Sequence, residues 1–134
     1  MRIAPELVEQ IVAHAREDAP NECCGLIGGR DGVASTVHRV RNAFASPVRF
    51  ELHPTDQLRT WEAIEAAGDE VIAMYHSHPK SEAKPSPTDV NLAGAWPGPS
   101  PLWVICSLVD ADDPAVRAFA IGDGQVEEVE LAVA

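Results

Sequence analysis

The run Val71-Ile72-Ala73-Met74-Tyr75 constrains the fold more than any other stretch, because it is apolar throughout and leads straight into His76-Ser77-His78-Pro79. A strand with one wet face alternates apolar and polar residues. One without alternation is covered on both faces and sits centrally in a sheet. Pro79 has no N–H to give to a ladder, so the strand ends just past the two histidines. The chain is thereby committed to a mixed β-sheet flanked by helices, with a pair of imidazoles at the end of its central strand.

The flanking segments supply that architecture. Ala4, Leu7, Val8, Ile11, Val12 and Ala15 recur at spacings of three and four, which predicts an amphipathic helix over 4–18 with Pro5 in its first turn. Cys24 to Gly29 is a short apolar run, and Asp31-Gly32 marks a hairpin turn into Val33 to Arg41. Val48 to Leu52 reads as a third strand. Pro54-Thr55-Asp56 opens a second helix, with Leu58, Trp61 and Ile64 on one face and a stop at Gly68. A short helix is predicted from Thr88 to Ala95, and the Trp96–Pro101 stretch WPGPSP delivers a strand at Leu102–Val109. Strands near Val116–Ile121 and Val126–Leu131 finish the chain, joined by Gly122-Asp123-Gly124.

At 134 residues there is enough chain for one core and too little for two ordinary ones. The whole of 1–134 therefore reads as a single α/β domain. Net charge is −11, from 21 acidic and 10 basic residues, which argues against a nucleic-acid partner. No apolar run approaches the roughly 20 residues that span a bilayer, so no membrane association is expected. The N-terminus MRIAPELVEQ turns polar at once, unlike a signal peptide, and points to the cytoplasm. Cys23, Cys24 and Cys106 form neither a CxxC pair nor an even disulfide set, and read as reduced, buried thiols.

The chemistry concentrates between Tyr75 and Asp89. Positions i and i+2 of a strand share a face, so His76 and His78 point the same way while Ser77 points back. Asp89 follows His78 by eleven residues, enough for the loop to fold back over the strand end. Two imidazoles and a carboxylate make an open zinc site with one coordination position left for water, the arrangement of a hydrolase. Taken singly, each part has a plainer explanation. A His-x-His pair at a strand end is often solvated, and Ser86-Pro87-Thr88-Asp89 is complete as a helix capping box. His14, His38 and His53 read as structural or solvated, and Trp61, Trp96 and Trp103 as core or core-edge. Lys80 and Lys84 lie in the loop over the site, keeping it wet or screening a substrate carboxylate.

Read together, these residues resemble the JAMM metalloproteases, also called the MPN-plus or Mov34/PAD-1 family. That family's signature is an upstream glutamate followed by His-x-His-x7-Ser-x2-Asp. His76-Ser77-His78, seven residues, Ser86, two residues and Asp89 fill it without a gap, and Glu22 in PNECCGLIGG matches the glutamate. The order of elements over nearly the whole chain fits as well. The resemblance implies a JAMM/MPN, cytidine-deaminase-like architecture in which His76, His78 and Asp89 hold one Zn²⁺. Glu22 would be the general base, passing its proton on to the departing amine, and Ser86 would donate its hydroxyl to the oxyanion.

The resemblance also implies a substrate class. The family cleaves amide or isopeptide bonds after the C-terminal Gly-Gly of ubiquitin-like proteins, and its small bacterial branch includes peptidases that free a sulfur carrier from cysteine during cysteine synthesis. Val90 to Pro101 is too short for the insertions of linkage-selective deubiquitinases, which favours the sulfur-carrier substrate over a deubiquitinase-like activity. A glycine tail suits a narrow groove and could add as a strand beside the site. A metal-free MPN scaffold and a zinc peptidase of free dipeptides are the alternatives of other kinds.

Overall fold

A computed structural model describes residues 1–96 and 100–134. The helices are α1 (Pro5–Asp18), α2 (Pro54–Ala66) and α3 (Pro87–Gly94). The strands are β1 (Arg2–Ile3), β2 (Cys24–Arg30), β3 (Val33–Val40), β4 (Glu70–His78), β5 (Leu102–Ser107), β6 (Ala115–Gly122), β7 (Gln125–Val129) and β8 (Ala132–Val133). All eight strands form one sheet in the order β7-β6-β5-β4-β2-β3-β1-β8, so β4 is central as its unbroken apolar run requires. It pairs antiparallel with β2 and parallel with β5. Among the described residues no helix is long and apolar enough to cross a membrane.

The sheet is covered on both faces. On one side α1 lays Ile11 and Ala15 against Ile27, Ala73, Tyr75, Val104 and Cys106. On the other, α2 and α3 enclose a second cluster built from Leu26, Phe50, Ile64, Met74, Trp103 and Ile105. Alternation along β4 sends Ala73 and Tyr75 to the α1 side, and Met74 and His76 to the α2/α3 side. All three cysteines are free and buried. Gly25 is fixed by the strand-to-strand approach, because a Cβ there would stand 2.3 Å from the Tyr75 ring and from the His38 carbonyl oxygen. Behind that ring, His14 Nδ1 lies 2.7 Å from the Tyr75 hydroxyl, tying α1 to β4 through a buried hydrogen bond.

The hairpin turn, the three helices and the strands at 24–30, 33–40 and 102–122 stand close to where the sequence sets them. The strand expected at Val48–Leu52 does not form. Only an isolated bridge joins Asn42 to Leu52, and the Asn42 side chain does the work of a ladder there. Its Oδ1 accepts from the N–H groups of Phe44 and Glu51, and its Nδ2 donates to the carbonyls of Arg49 and Glu22. The two-residue strands β1 and β8 had no sequence signal, being too short for any periodicity. The centre of the WPGPSP segment, residues 97–99, lies outside the described residues.

Candidate active site

The end of β4 carries His76 and His78, both buried, with their Nε2 atoms 3.1 Å apart. Asp89 is the third residue of α3, and its Oδ2 lies 3.2 Å from His76 Nε2 and 3.1 Å from His78 Nε2. Three donor atoms thus form a near-equilateral triangle. Ligands held about 2.0–2.1 Å from zinc at tetrahedral angles stand roughly 3.3–3.4 Å apart, close to this spacing. The cluster fits a metal, and its three residues belong to three points the chain brings together: the strand end, its i+2 neighbour and a helix first turn.

Each group is held from behind. His78 Nδ1 donates to the Glu82 carbonyl at 2.8 Å, which fixes the ring with Nε2 turned toward the cluster. His76 is fixed by aromatic packing, with Phe50 stacked on it at 4.3 Å and Trp103 meeting it edge-on at 5.7 Å. Asp89 is locked by a reciprocal capping box: the Ser86 hydroxyl accepts from Asp89 N–H at 3.1 Å, and Ser86 N–H donates to Asp89 Oδ2 at 2.9 Å. Burial disfavours charge on Asp89, but hydrogen bonds from His76 and His78 overcome it and hold the carboxyl well below the usual carboxylate range. Burial pushes the His76 imidazole down. On His78 burial is outweighed by Asp89 and the Glu82 carbonyl, and its imidazole is pushed up.

Glu22 precedes β2, and its main chain is pinned on both sides. Its N–H donates to the Ser46 carbonyl at 2.8 Å, and its carbonyl accepts from Asn42 Nδ2 at 3.1 Å. Beyond the Cys24–His76 pair the two strands continue to hold through Ser77, whose N–H reaches the Cys23 carbonyl and whose hydroxyl accepts from Cys23 N–H. That register brings Glu22 level with His78. The carboxyl is buried, with Oε1 lacking a protein partner. Burial pushes it up to about 7, the charge of His78 opposes the shift, and Asp89 adds to it. A buried carboxyl near neutrality, beside a three-ligand cluster, can exchange a proton with water in the site.

The structure therefore brings all five sequence-selected positions together. Phe50 and Asn42 were not among them. Both lie in the irregular stretch between β3 and α2, where no periodicity singles out a residue. His14 is buried on the far face of the sheet, His38 bonds to Thr36, and His53 lies beside Arg41 and Asp56.

Known proteins place this arrangement in a lineage. The family model for prokaryotic homologs of the JAB domain matches residues 4–122. The chain belongs to that family, the small prokaryotic form of JAMM/MPN proteins. A CysO-cysteine peptidase of Mycobacterium tuberculosis is 38% identical over 128 residues, covering 94% of this chain and 86% of the relative. A desampylase of Haloferax volcanii is 43% identical over 115 residues, 80% of each chain. A solution structure from Desulfitobacterium hafniense superposes with a TM-score of 0.89 at 34% identity, over all of this chain and 93% of the other. With its His-His-Asp cluster in place, the chain is an enzyme of the metallopeptidase kind.

Proposed function

We propose that this protein is a zinc-dependent peptidase that hydrolyses the amide bond after the C-terminal glycine of a ubiquitin-like protein, releasing cysteine from a cytoplasmic sulfur carrier. The observation that carries the reading is the convergence of three buried ligand atoms, 3.1–3.2 Å apart, with a buried carboxyl near neutrality beside them. The relative named CysO-cysteine peptidase, matched over 94% of this chain, supports the substrate.

His76, His78 and Asp89 would hold the ion. When bound, zinc acidifies water and polarises a carbonyl. Glu22 takes the proton from the attacking water and returns it to the departing amine. Its burial places its basicity near the working pH, where a general base is most effective. Ser86 uses a lone pair of its hydroxyl to cap α3, leaving the proton to donate to the oxyanion that develops on the scissile carbonyl. The helix cap and the oxyanion donor are one hydroxyl, so the helix turn that fixes Asp89 also aims Ser86.

The desampylase relative favours a second reading, an isopeptidase on conjugates of ubiquitin-like proteins. One assay separates them. A ubiquitin-like carrier ending Gly-Gly-Cys is incubated with the zinc-loaded protein and followed by intact mass, with and without a chelator. Loss of one cysteine residue, blocked by the chelator, is the expected result. An unchanged carrier alongside cleavage of a lysine-linked conjugate selects the isopeptidase. No cleavage of either overturns both.

A further inference from the structure

Two cavities flank the ligand cluster, and they differ in charge. The first lies against Phe50, the ring stacked on His76, and is walled by Leu52, Met74, Trp96 and Trp103; Glu51 is its one charged lining residue among those described. The second, of about 460 Å³, lies against His78 and Ser86 and is bordered by Lys80, Lys84, Val109 and one carboxylate, Glu82, so its lining carries one more positive than negative charge. A further hollow, reaching Arg117, shares Glu82, Lys84 and Val109 with it. Lys80 and Lys84 are the only lysines in the sequence, and the chain carries a net charge of −11. Both lysine ammonium groups therefore stand beside the site.

The loop that bears them is fixed. The Glu82 carbonyl accepts from His78, the Ser81 carbonyl accepts the Ser107 hydroxyl at 2.5 Å, and Ala83 is buried between them. Lys84 sits 3.6 Å from Glu82, whereas Lys80 makes no ion pair among the described residues. A cation without a protein counter-charge, on a pinned loop within two residues of His78, is placed to receive an anion from a molecule seated at the cluster.

We propose that this cavity seats the leaving residue, and that Lys80, assisted by Lys84, binds its free α-carboxylate. This rests on the peptidase reading above and narrows its substrate to a chain whose scissile bond precedes the last residue. In such a substrate the carboxylate carbon lies only two bonds, roughly 2.5 Å, from the departing nitrogen, so it must fall beside the cluster. The first cavity, apolar and carrying Glu51, is a poor place for it. A lysine-linked conjugate has no carboxylate near its departing nitrogen and gains nothing from the two ammonium groups. The bond chemistry is unchanged: water's oxygen joins the acyl carbon, the C–N bond breaks, and the amine leaves with a proton. Lys80 and Lys84 are specificity residues that position the leaving group.

The test compares two peptides with the tail of a ubiquitin-like protein ending Gly-Gly-Ala, one with a free C-terminal carboxylate and one with a carboxamide. Zinc-loaded wild-type protein is expected to favour the acid in kcat/KM by roughly two- to fivefold, the worth of one partly solvated ion pair. In the Lys80→Met/Lys84→Met variant the acid-over-amide ratio falls toward one, with the loss in KM rather than kcat, and Lys80→Arg/Lys84→Arg restores it. Equal cleavage of the two peptides by wild type, or an acid preference that survives the double Met variant, overturns the assignment while leaving the peptidase reading intact. Cleavage of neither peptide overturns the peptidase reading, and the assignment with it.

Discussion

Glu22 is the residue whose chemistry depends most on where the fold puts it. A glutamate after a Pro-Asn turn is ordinarily solvated, and here it is 4% exposed and pushed up to about 7 by burial. Replacing it with Gln keeps the shape and removes the proposed base. Glu22→Gln is predicted to retain full metal content by elemental mass spectrometry while kcat falls by at least about 100-fold. The sign of the pH dependence follows from the same burial. The base works only when ionised, so kcat/KM should fall as pH drops through an inflection at or below about 7, the cation moving it down and never up. An inflection well above 7 in the pH–rate profile contradicts the assignment. Ser86→Ala removes a cap worth about 1 kcal/mol, and if the hydroxyl also serves the oxyanion, kcat falls by roughly 100-fold or more. A lowered Tm with unchanged kcat would leave Ser86 as a cap alone.

At the scale of elements, the site is a junction of a strand end, a helix start and an irregular segment, and they were not equally legible. His76 and His78 were readable because an unbroken apolar run closed by a proline marks a strand, whose two-residue repeat puts both imidazoles on one face. Asp89 was readable because a capping box specifies its own geometry. Glu22 was readable only through the family pattern, since nothing local in Pro20-Asn21-Glu22 shows that Ser46 and Asn42 pin it beside His78. The segment from Arg41 to His53 misled for a related reason. Beside backbone bonds from Ala43 N–H to the Glu51 carbonyl and from His53 N–H to that of Arg41, four involve the Asn42 side chain, and side-chain-to-backbone bonds leave no periodic trace. The far face of the sheet offers a control on stability without chemistry. Tyr75→Phe leaves His14 Nδ1 buried without its partner, so urea unfolding should show a loss of about 1–3 kcal/mol while metal content stays the same. A parallel loss of metal would mean that the two faces of β4 are coupled.

For the molecule as a whole, the sheet order explains why one short stretch holds so much function. Strand β4 lies between β2, which delivers Glu22, and β5, which delivers the Ser107 hydroxyl that holds the loop of Lys80 and Lys84. That loop holds both lysines of an acidic chain. Because His76 and His78 come from β4 and Asp89 from α3, a metal held by them would tie the two elements together, and binding to the native state would raise stability by mass action. Zinc at 100 times its dissociation constant is predicted to add about 2.7 kcal/mol, seen as a higher Tm that a chelator reverses. The most direct measurement is a reconstitution titration, in which metal-free protein receives zinc stepwise while cleavage of a Gly-Gly-Cys-ended carrier is followed on the same samples. Activity should rise from nothing and level off at one zinc per chain for wild type, and stay absent in Asp89→Ala at the same zinc level. Turnover in the metal-free protein, or full turnover in Asp89→Ala, would contradict a catalytic metal held by His76, His78 and Asp89.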